Sequence, residues 1–331
     1  MHPLLRAAAD RRLGVFTAAD ARRAGYDHSE IRRLCGSGAW RRLRRGVYVA
    51  VEDLERAEAT GRRRGLDALA VLVALGRPAA ALSHLTACHL WDLPVPRAAD
   101  PVVRLTDPSH SRTGRGFRVT CGPLDDGEVR TDGPFRLTAP ARTLVDCARE
   151  VCLEDAVVAM DAALLRKRLT TAELVAAATR AARWPGGTRA ARAVSLTDGR
   201  AESPLETRVR LRVVGAGLPA FDLQREVWAD GRMIAVADLW FDESAVAVHV
   251  DGRVKYTDPW GDPGRVLWDE KRREDTVRRY DVGVVRVTSA DLTPTGWPPL
   301  EARLRELTSR PGPAHRRFTT VRRPEGRLRT G

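Results

Sequence analysis

Three features of the sequence predict an α+β protein of several domains. With 331 residues, 43% of them hydrophobic, the chain is long enough to form two or three separate cores. Short helical segments with polar caps alternate with strand-like segments that end at glycine turns. Residues 1–50 hold 11 arginines and four acidic residues, a net charge of +7, and residues 309–331 carry +6, so the central part is neutral within a total of +13.

The N-terminal segment has the pattern of a helix-turn-helix. Thr17 is placed to cap a helix over residues 18–24, Gly25 to end it, and Asp27 to cap a second helix over residues 28–35. Two short helices joined by a tight turn that contains glycine form the helix-turn-helix unit. A basic module of this kind predicts contact with nucleic acid.

The second helix and the residues after it indicate which side chains contact DNA. Ile31 and Leu34 have the spacing of buried contacts, which leaves Arg32 and Arg33 exposed. Residues 40–49 then form a basic hairpin, the wing, with four arginines: Arg41, Arg42, Arg44 and Arg45. We interpret residues 1–50 as a winged helix that binds DNA through these six arginines. The alternative is an arginine-rich helical hairpin that packs on another protein.

The middle of the chain carries no motif of a known chemistry. Residues 53–75 are predicted to form one helix, residues 101–137 a small sheet, and the run from LTAPARTLVDCAREV (137–151) to about residue 193 a series of helices. His84 and Cys88 are spaced like metal ligands, but without a third ligand we interpret them as packing residues. The five cysteines lack a CxxC pair and are expected to be small buried side chains.

The last part, residues 203–291, is predicted to run helix, three strands, helix, strand. The strand AVAVHVDG places His249 and Asp251 on one face because side chains alternate along a strand. A turn at Asp242-Glu243 pairs residues whose numbers sum to 485, which sets Asp238 diagonal to His249, about 7–8 Å away. An aspartate in an apolar strand needs a partner, and a divalent cation is a suitable one.

Five short motifs of this region occur in an order that resembles the very-short-patch-repair-like branch of the PD-(D/E)XK nuclease superfamily: ESPLE, VADLWF, VDGRVKY, DEKRRED and GVVRVT. The N-terminal half is similar to AbiEi-family antitoxin proteins in four further motifs: GVFTAADARRAGY, RRGVYV, LSHLTACHLWDL and LTAPARTLVDCA. Together the two resemblances cover most of residues 10–295. They imply a restriction-endonuclease-like α/β domain behind an antitoxin-like region.

The resemblance to the nucleases also implies roles for single residues. Asp238 would bind the metal, Asp251 would be the acid before the glycine, Lys255 would stabilise developing charge, and Glu206 would be the helix carboxylate. Glu206 also fits a capping box with Ser203. The relatives carry glutamate where this chain has His249, and since histidine is a poor ligand for Mg²⁺, Mn²⁺ is the better candidate.

We therefore expect a DNA-binding winged helix (1–50), a mixed α/β middle region (51–195), a PD-(D/E)XK nuclease-like domain (196–308) and a disordered basic tail (309–331). The first hypothesis is an endonuclease that uses a divalent metal, and the second is a DNA-binding antitoxin or regulator with a degenerate nuclease domain. The third is neutralisation of a cognate toxin protein through the middle helices. No segment is apolar enough to span a membrane, so a soluble cytoplasmic protein is expected.

Overall fold

Residues 1–50 fold as a winged helix. Helix α1 (Pro3–Asp10) leads through β1 (Val15–Thr17) into helices α2 (Ala18–Arg23) and α3 (His28–Gly36), and a hairpin of β2 (Trp40–Arg44) and β3 (Val47–Ala50) follows. The sheet has the order β1-β3-β2, with both pairs antiparallel. Its core contains the predicted Ile31 together with Phe16 and Trp40, whose rings meet edge to face at 4.8 Å. The prediction of a helix-turn-helix followed by a wing is confirmed.

This computed structural model describes residues 1–93, 102–251 and 277–323, and the chain divides into two compact units. The first unit comprises residues 1–151 and 172–191, and the second comprises residues 152–171 and 192–331. Part of the predicted middle region, residues 152–171, thus belongs with the C-terminal unit. In the described part of the chain, no helix is both long and apolar enough to cross a membrane.

The rest of the first unit is a six-stranded sheet with helices. Its strand order is β6-β7-β5-β4-β9-β8. The strands are β4 (Ala81–Leu82), β5 (Val103–Asp107), β6 (Arg112–Gly114), β7 (Phe117–Cys121), β8 (Val129–Asp132) and β9 (Phe135–Thr138). The helices are α4 (Val51–Ala59), α5 (Arg63–Leu75), α6 (His84–Leu90), α7 (Pro140–Ala148) and α9 (Thr171–Arg180), and the boundary between the units falls within α10 (Gly187–Ser195).

Two predictions for this unit were wrong in detail. The single helix over residues 53–75 is two helices, because Gly61 adopts a positive φ of 67° between α4 and α5. Cys88 and Cys147 are buried, as expected for small hydrophobic side chains, whereas Cys121 and Cys152 are exposed. None of the five cysteines forms a disulfide.

The second unit is built on a five-stranded sheet of order β13-β12-β11-β10-β14, in which only β12 and β13 are parallel. Its strands are β10 (Asp222–Ala229), β11 (Arg232–Phe241), β12 (Val246–Asp251), β13 (Gly283–Thr288) and β14 (Thr319–Arg322). Its helices are α8 (Leu153–Leu165), α11 (Pro204–Gly215) and α12 (Trp297–Thr308). The predicted helix before β13 lies mostly outside the described residues.

A buried ion pair explains why α8 belongs to this unit. Arg210 on α11 donates to Asp161 on α8 at 2.8 Å, and both side chains are less than a tenth exposed. Thr207 and the backbone N–H of Asp198 donate to the same carboxylate at 2.8 and 2.7 Å. A buried charge with fewer partners would be costly, so these contacts hold the two helices together.

The prediction of a disordered tail was wrong for its described part. Strand β14 pairs antiparallel with β10 through Arg225 and Arg322, and the backbone N–H of Arg323 donates to the carbonyl of Gln224 at 3.1 Å. The alternating sequence Thr-Thr-Val-Arg supplies an edge strand despite the flanking prolines. The tail thus completes the sheet.

Candidate nucleic-acid interface and carboxylate cluster

Helix α3 presents two arginines to solvent. Asp27 caps the helix by accepting from the backbone N–H groups of Ser29 and Glu30, and the Glu30 carboxylate accepts from the Asp27 N–H in return. Ile31 is buried in the winged-helix core, which leaves the following Arg32 and Arg33 exposed. Their guanidinium groups are therefore placed on the outer side of the helix.

The wing adds further positive charge beside α3. Arg41, Arg42 and Arg45 are exposed, and no acidic residue occurs between Ile31 and Val51 in the sequence. A run of cations without local counter-charges attracts phosphate and gains free energy from counterion release. Of the six predicted DNA-contacting arginines, five are exposed.

Arg44 is the exception, because its guanidinium is engaged within the unit. It donates to the carbonyl of Arg115 in the turn between β6 and β7 and lies over the ring of Phe117, 5.8 Å from the centroid. Arg44 thus joins two hairpins, while its contact with DNA stays a prediction. Sequence reasoning missed the partner hairpin, although its sequence RTGRGFR is basic and free of acids.

A buried carboxylate cluster lies in the second unit. Nε2 of Gln224 on β10 donates to Oε2 of Glu206 at 3.0 Å and to Oδ1 of Asp238 at 3.2 Å. The backbone N–H of Val250 donates to Oδ2 of Asp238 at 2.7 Å, and that of Glu202 donates to Oε2 of Glu206 at 2.8 Å. The structure thus brings together two of the predicted catalytic residues, Glu206 and Asp238.

Gln224 was missed in the sequence, and its position depends on backbone strain. It adopts a positive φ of 52°, which is uncommon for a residue other than glycine, and its side chain is buried. Arg323 of the tail donates from its side chain to Oε1 of Gln224 at 3.4 Å and to Glu202 at 2.9 Å. These contacts favour the amide orientation in which NH₂ faces the carboxylates.

Burial, together with the nearby carboxylate of Asp238, raises the pKa of Glu206 to about 7. Protonation of Glu206 removes one of the two negative charges that are buried in this cluster. The predicted capping box is half formed: the N–H of Glu206 donates to Ser203 Oγ at 3.2 Å, whereas the carboxylate accepts from Glu202. The side chain of Glu206 therefore contributes to the carboxylate cluster and does not complete the capping box with Ser203.

The predicted strand register was wrong by two residues. Leu239 pairs with Val248 and Phe241 with Val246, so paired numbers sum to 487 rather than 485. The turn keeps four residues, Asp242 to Ala245, where the prediction allowed two. Continued by one residue, this register sets Asp238 opposite His249 instead of diagonal to it.

Asp251, the third predicted metal ligand, and Lys255, the predicted charge-stabilising lysine, are not described in contact with Asp238. Asp251 is partly exposed and forms an ion pair with Arg286 at 3.5 Å, and Lys255 lies outside the described residues. Residues 1–93, 102–251 and 277–323 contain no group of three or more His, Cys, Asp or Glu side chains arranged to hold a metal ion. Between Glu206 and Asp238 lies an amide NH₂, a donor that cannot ligate a cation. The described residues of the cluster thus supply two carboxylates and no third group arranged with them to hold a metal ion.

The raised pKa of Glu206 predicts a pH-dependent stability. Between pH 4.5 and about 7 the folded protein holds a proton that the unfolded chain releases, so stability falls as the pH rises through this range. Glu206→Gln removes the titration. We expect the variant to match the wild type at pH 4.5 and to exceed its free energy of unfolding at pH 8 by up to about 3 kcal/mol.

Urea unfolding at both pH values checks this, with pulse proteolysis and mass spectrometry assigning fragments to the second unit. Glu243→Gln, at an exposed position, is the matched control and should leave the pH dependence unchanged. Equal pH dependence in Glu206→Gln and the wild type would show that Glu206 is not the group that titrates in this range.

Comparisons with known proteins find one family model, two curated relatives and a solved structure that are similar to parts of this chain. Residues 3–51 match the family model described as "Transcriptional regulator, AbiEi antitoxin". Two uncharacterized proteins of Mycobacterium tuberculosis, Rv2248 of strain H37Rv and MT2308 of strain CDC 1551, are each 31% identical over 193 residues, which is 56% of this chain. The alignment spans 64% of those relatives, less than two thirds of their length.

A solved structure, that of the Rv2827c protein from Mycobacterium tuberculosis, is 17% identical with a TM-score of 0.36, covering 62% of this chain and 78% of the other.

Proposed function

We propose that this protein is a DNA-binding transcriptional regulator of the antitoxin type, which binds duplex DNA through its winged helix. The observation that best supports this function is the exposed pair Arg32 and Arg33 on the capped helix α3, which is followed by a basic wing. The match of residues 3–51 to a family of transcriptional regulators supports the same function.

The chemistry of the surface favours duplex DNA as the partner. An α-helix fits the major groove, and arginine binds both guanine edges and phosphates. In this assignment α3 is the recognition helix, while Arg41, Arg42 and Arg45 of the wing contact the backbone. Such binding weakens steeply with salt because each phosphate contact releases counterions.

Selection of bound fragments from sheared genomic DNA, followed by anisotropy titrations of an enriched duplex, tests the proposal. We expect enrichment of a few sites and binding to them about 1,000-fold tighter than to a scrambled duplex. Binding that does not depend on sequence, or no binding at low salt, would refute a regulatory role.

A cognate toxin protein is part of the proposal, because antitoxins of this type act on a partner. Co-expression of this chain with the product of an adjacent gene, with growth and co-purification as readouts, tests it. Rescue of growth without co-purification of the two proteins would indicate that the antitoxin activity acts through DNA binding and not through a protein complex.

Metal-dependent phosphodiester hydrolysis by the second unit is the second candidate. The convergence of Glu206 and Asp238 is in its favour, whereas the Gln224 amide between them is against it. Plasmid and single-stranded DNA incubated with Mg²⁺, Mn²⁺ or EDTA, beside Asp238→Ala, decides it. Cleavage by the wild type that is abolished by EDTA and by Asp238→Ala would establish the nuclease. If the DNA stays uncut with every ion, transcriptional regulation is the function that remains.

A further inference from the structure

The hairpin of β6 and β7 is a second basic hairpin in the first unit. Residues 108–121 include Arg112, Arg115 and Arg118 and contain no acidic residue. All three arginines are exposed. In the pairing of the hairpin, Gly114 lies opposite Phe117, and a two-residue turn at Arg115 and Gly116 connects the strands.

Arg44 of the wing joins this hairpin to the winged helix. Its guanidinium donates to the carbonyl of Arg115 and lies over the Phe117 ring, and Arg112 lies over the same ring at 6.0 Å from the centroid. Two cations thus share one aromatic ring, which orients both.

The two glycines of the hairpin make this contact possible. A Cβ at Gly114 would lie 2.3 Å from the Phe117 ring, so any side chain there would displace the ring from its position. Gly116 has a φ of 72°, and a Cβ on it would lie 3.4 Å from Nη2 of Arg44. The sequence Arg-Thr-Gly-Arg-Gly-Phe is therefore suited to receive the wing arginine.

Helix α5 holds the two hairpins in a fixed relation. Leu66 and Leu69 pack into the core beneath β1 and β3, whereas Ala68 and Val71 pack into the core of the six-stranded sheet. One helix that contributes to two cores restricts motion between them. The wing and the hairpin of β6 and β7 therefore form one basic surface.

We propose that this hairpin is a second wing, in which Arg112 and Arg115 contact DNA phosphates next to those bound by the first wing. The inference rests on the proposed DNA-binding function and extends its interface beyond residues 1–50. Phosphates are favoured over base edges, because the hairpin offers point charges at a turn and has no recognition helix of its own.

The test compares three proteins by anisotropy with a selected duplex between 0.05 and 0.3 M salt: wild type, Arg112→Ser/Arg115→Ser, and the control Arg130→Ser/Arg183→Ser. The control removes the same charge near the opposite edge of the six-stranded sheet: Arg130 is on edge strand β8, and Arg183 follows α9, which contacts Glu128 through Arg180 at 3.1 Å. For the hairpin variant we expect about tenfold weaker binding at 0.15 M salt, with the slope of log affinity against log salt lowered by about 2.

Arg112→Lys/Arg115→Lys should restore both the affinity and the slope, since a phosphate contact needs only the charge. An unchanged slope in the serine variant, or an equal loss in the control, would overturn the second wing while leaving the proposed function intact. A wild-type protein that binds no duplex would overturn both. Circular dichroism confirms that each variant is folded.

Discussion

Replacing Arg32 and Arg33 together with alanine is expected to lower the affinity for a selected duplex about 100-fold without unfolding the protein. Both side chains are exposed on α3, and alanine is a better helix former than arginine, so the helix is retained. An arginine that reads a base edge contributes about 1–3 kcal/mol, and losing two such contacts at about 1.4 kcal/mol each corresponds to the expected factor.

A control variant separates the recognition of bases by α3 from general electrostatic attraction to DNA. Arg11→Ala/Arg62→Ala removes two exposed arginines of the same unit, at the end of α1 and before α5, and is expected to change affinity less than threefold. The α3 variant should also prefer the selected duplex over the scrambled one only about tenfold, where the wild type prefers it about 1,000-fold. A variant that keeps the wild-type preference would show that α3 is not the recognition helix.

The winged helix could be predicted because its signals are local. Thr17 and Asp27 cap their helices through contacts with residues two or three positions away, and Gly25 ends α2 with a φ of 91°. A pattern with such short reach is visible in one sequence. The strands of the second unit were predicted for the same reason, from alternation and turns.

Contacts between distant segments could not be predicted in this way. Arg44 belongs to a basic hairpin, which predicts contact with DNA, but its guanidinium lies over the ring of Phe117, 73 positions later in the sequence. The strand in the tail forms only because β10 offers an edge. The residue opposite Asp238 depends on the length of the turn between β11 and β12. A turn longer by two residues keeps Asp238 on the same face of the sheet but changes the residue that lies opposite it.

Arg142 is the buried cation around which part of the first unit is organised. It is 3% exposed, and it donates to Glu128 at 2.8 Å and to Asp146 at 2.9 Å. It also lies over the Trp184 ring at 4.3 Å from the centroid. Both carboxylates are almost fully buried, so each depends on this guanidinium for compensation.

Arg142→Met is expected to destabilise the first unit by about 3–5 kcal/mol, because methionine fills the space but leaves two buried carboxylates short of one partner. Urea unfolding at pH 7.5 measures the loss, with the exposed Arg130→Met as the control. Arg180 and Arg149 still reach these carboxylates at 3.1 and 2.9 Å, which favours the lower end of the range.

The triple variant Arg142→Met/Glu128→Gln/Asp146→Asn removes the unpaired charges along with the cation. If uncompensated charge causes the loss, this variant should recover more than half of it. If the triple variant is as unstable as Arg142→Met, the main contribution of Arg142 is instead its packing on Trp184. In either case DNA affinity at low temperature should be retained, because Arg32 and Arg33 are exposed on α3, a helix that packs on the separate winged-helix core through Ile31.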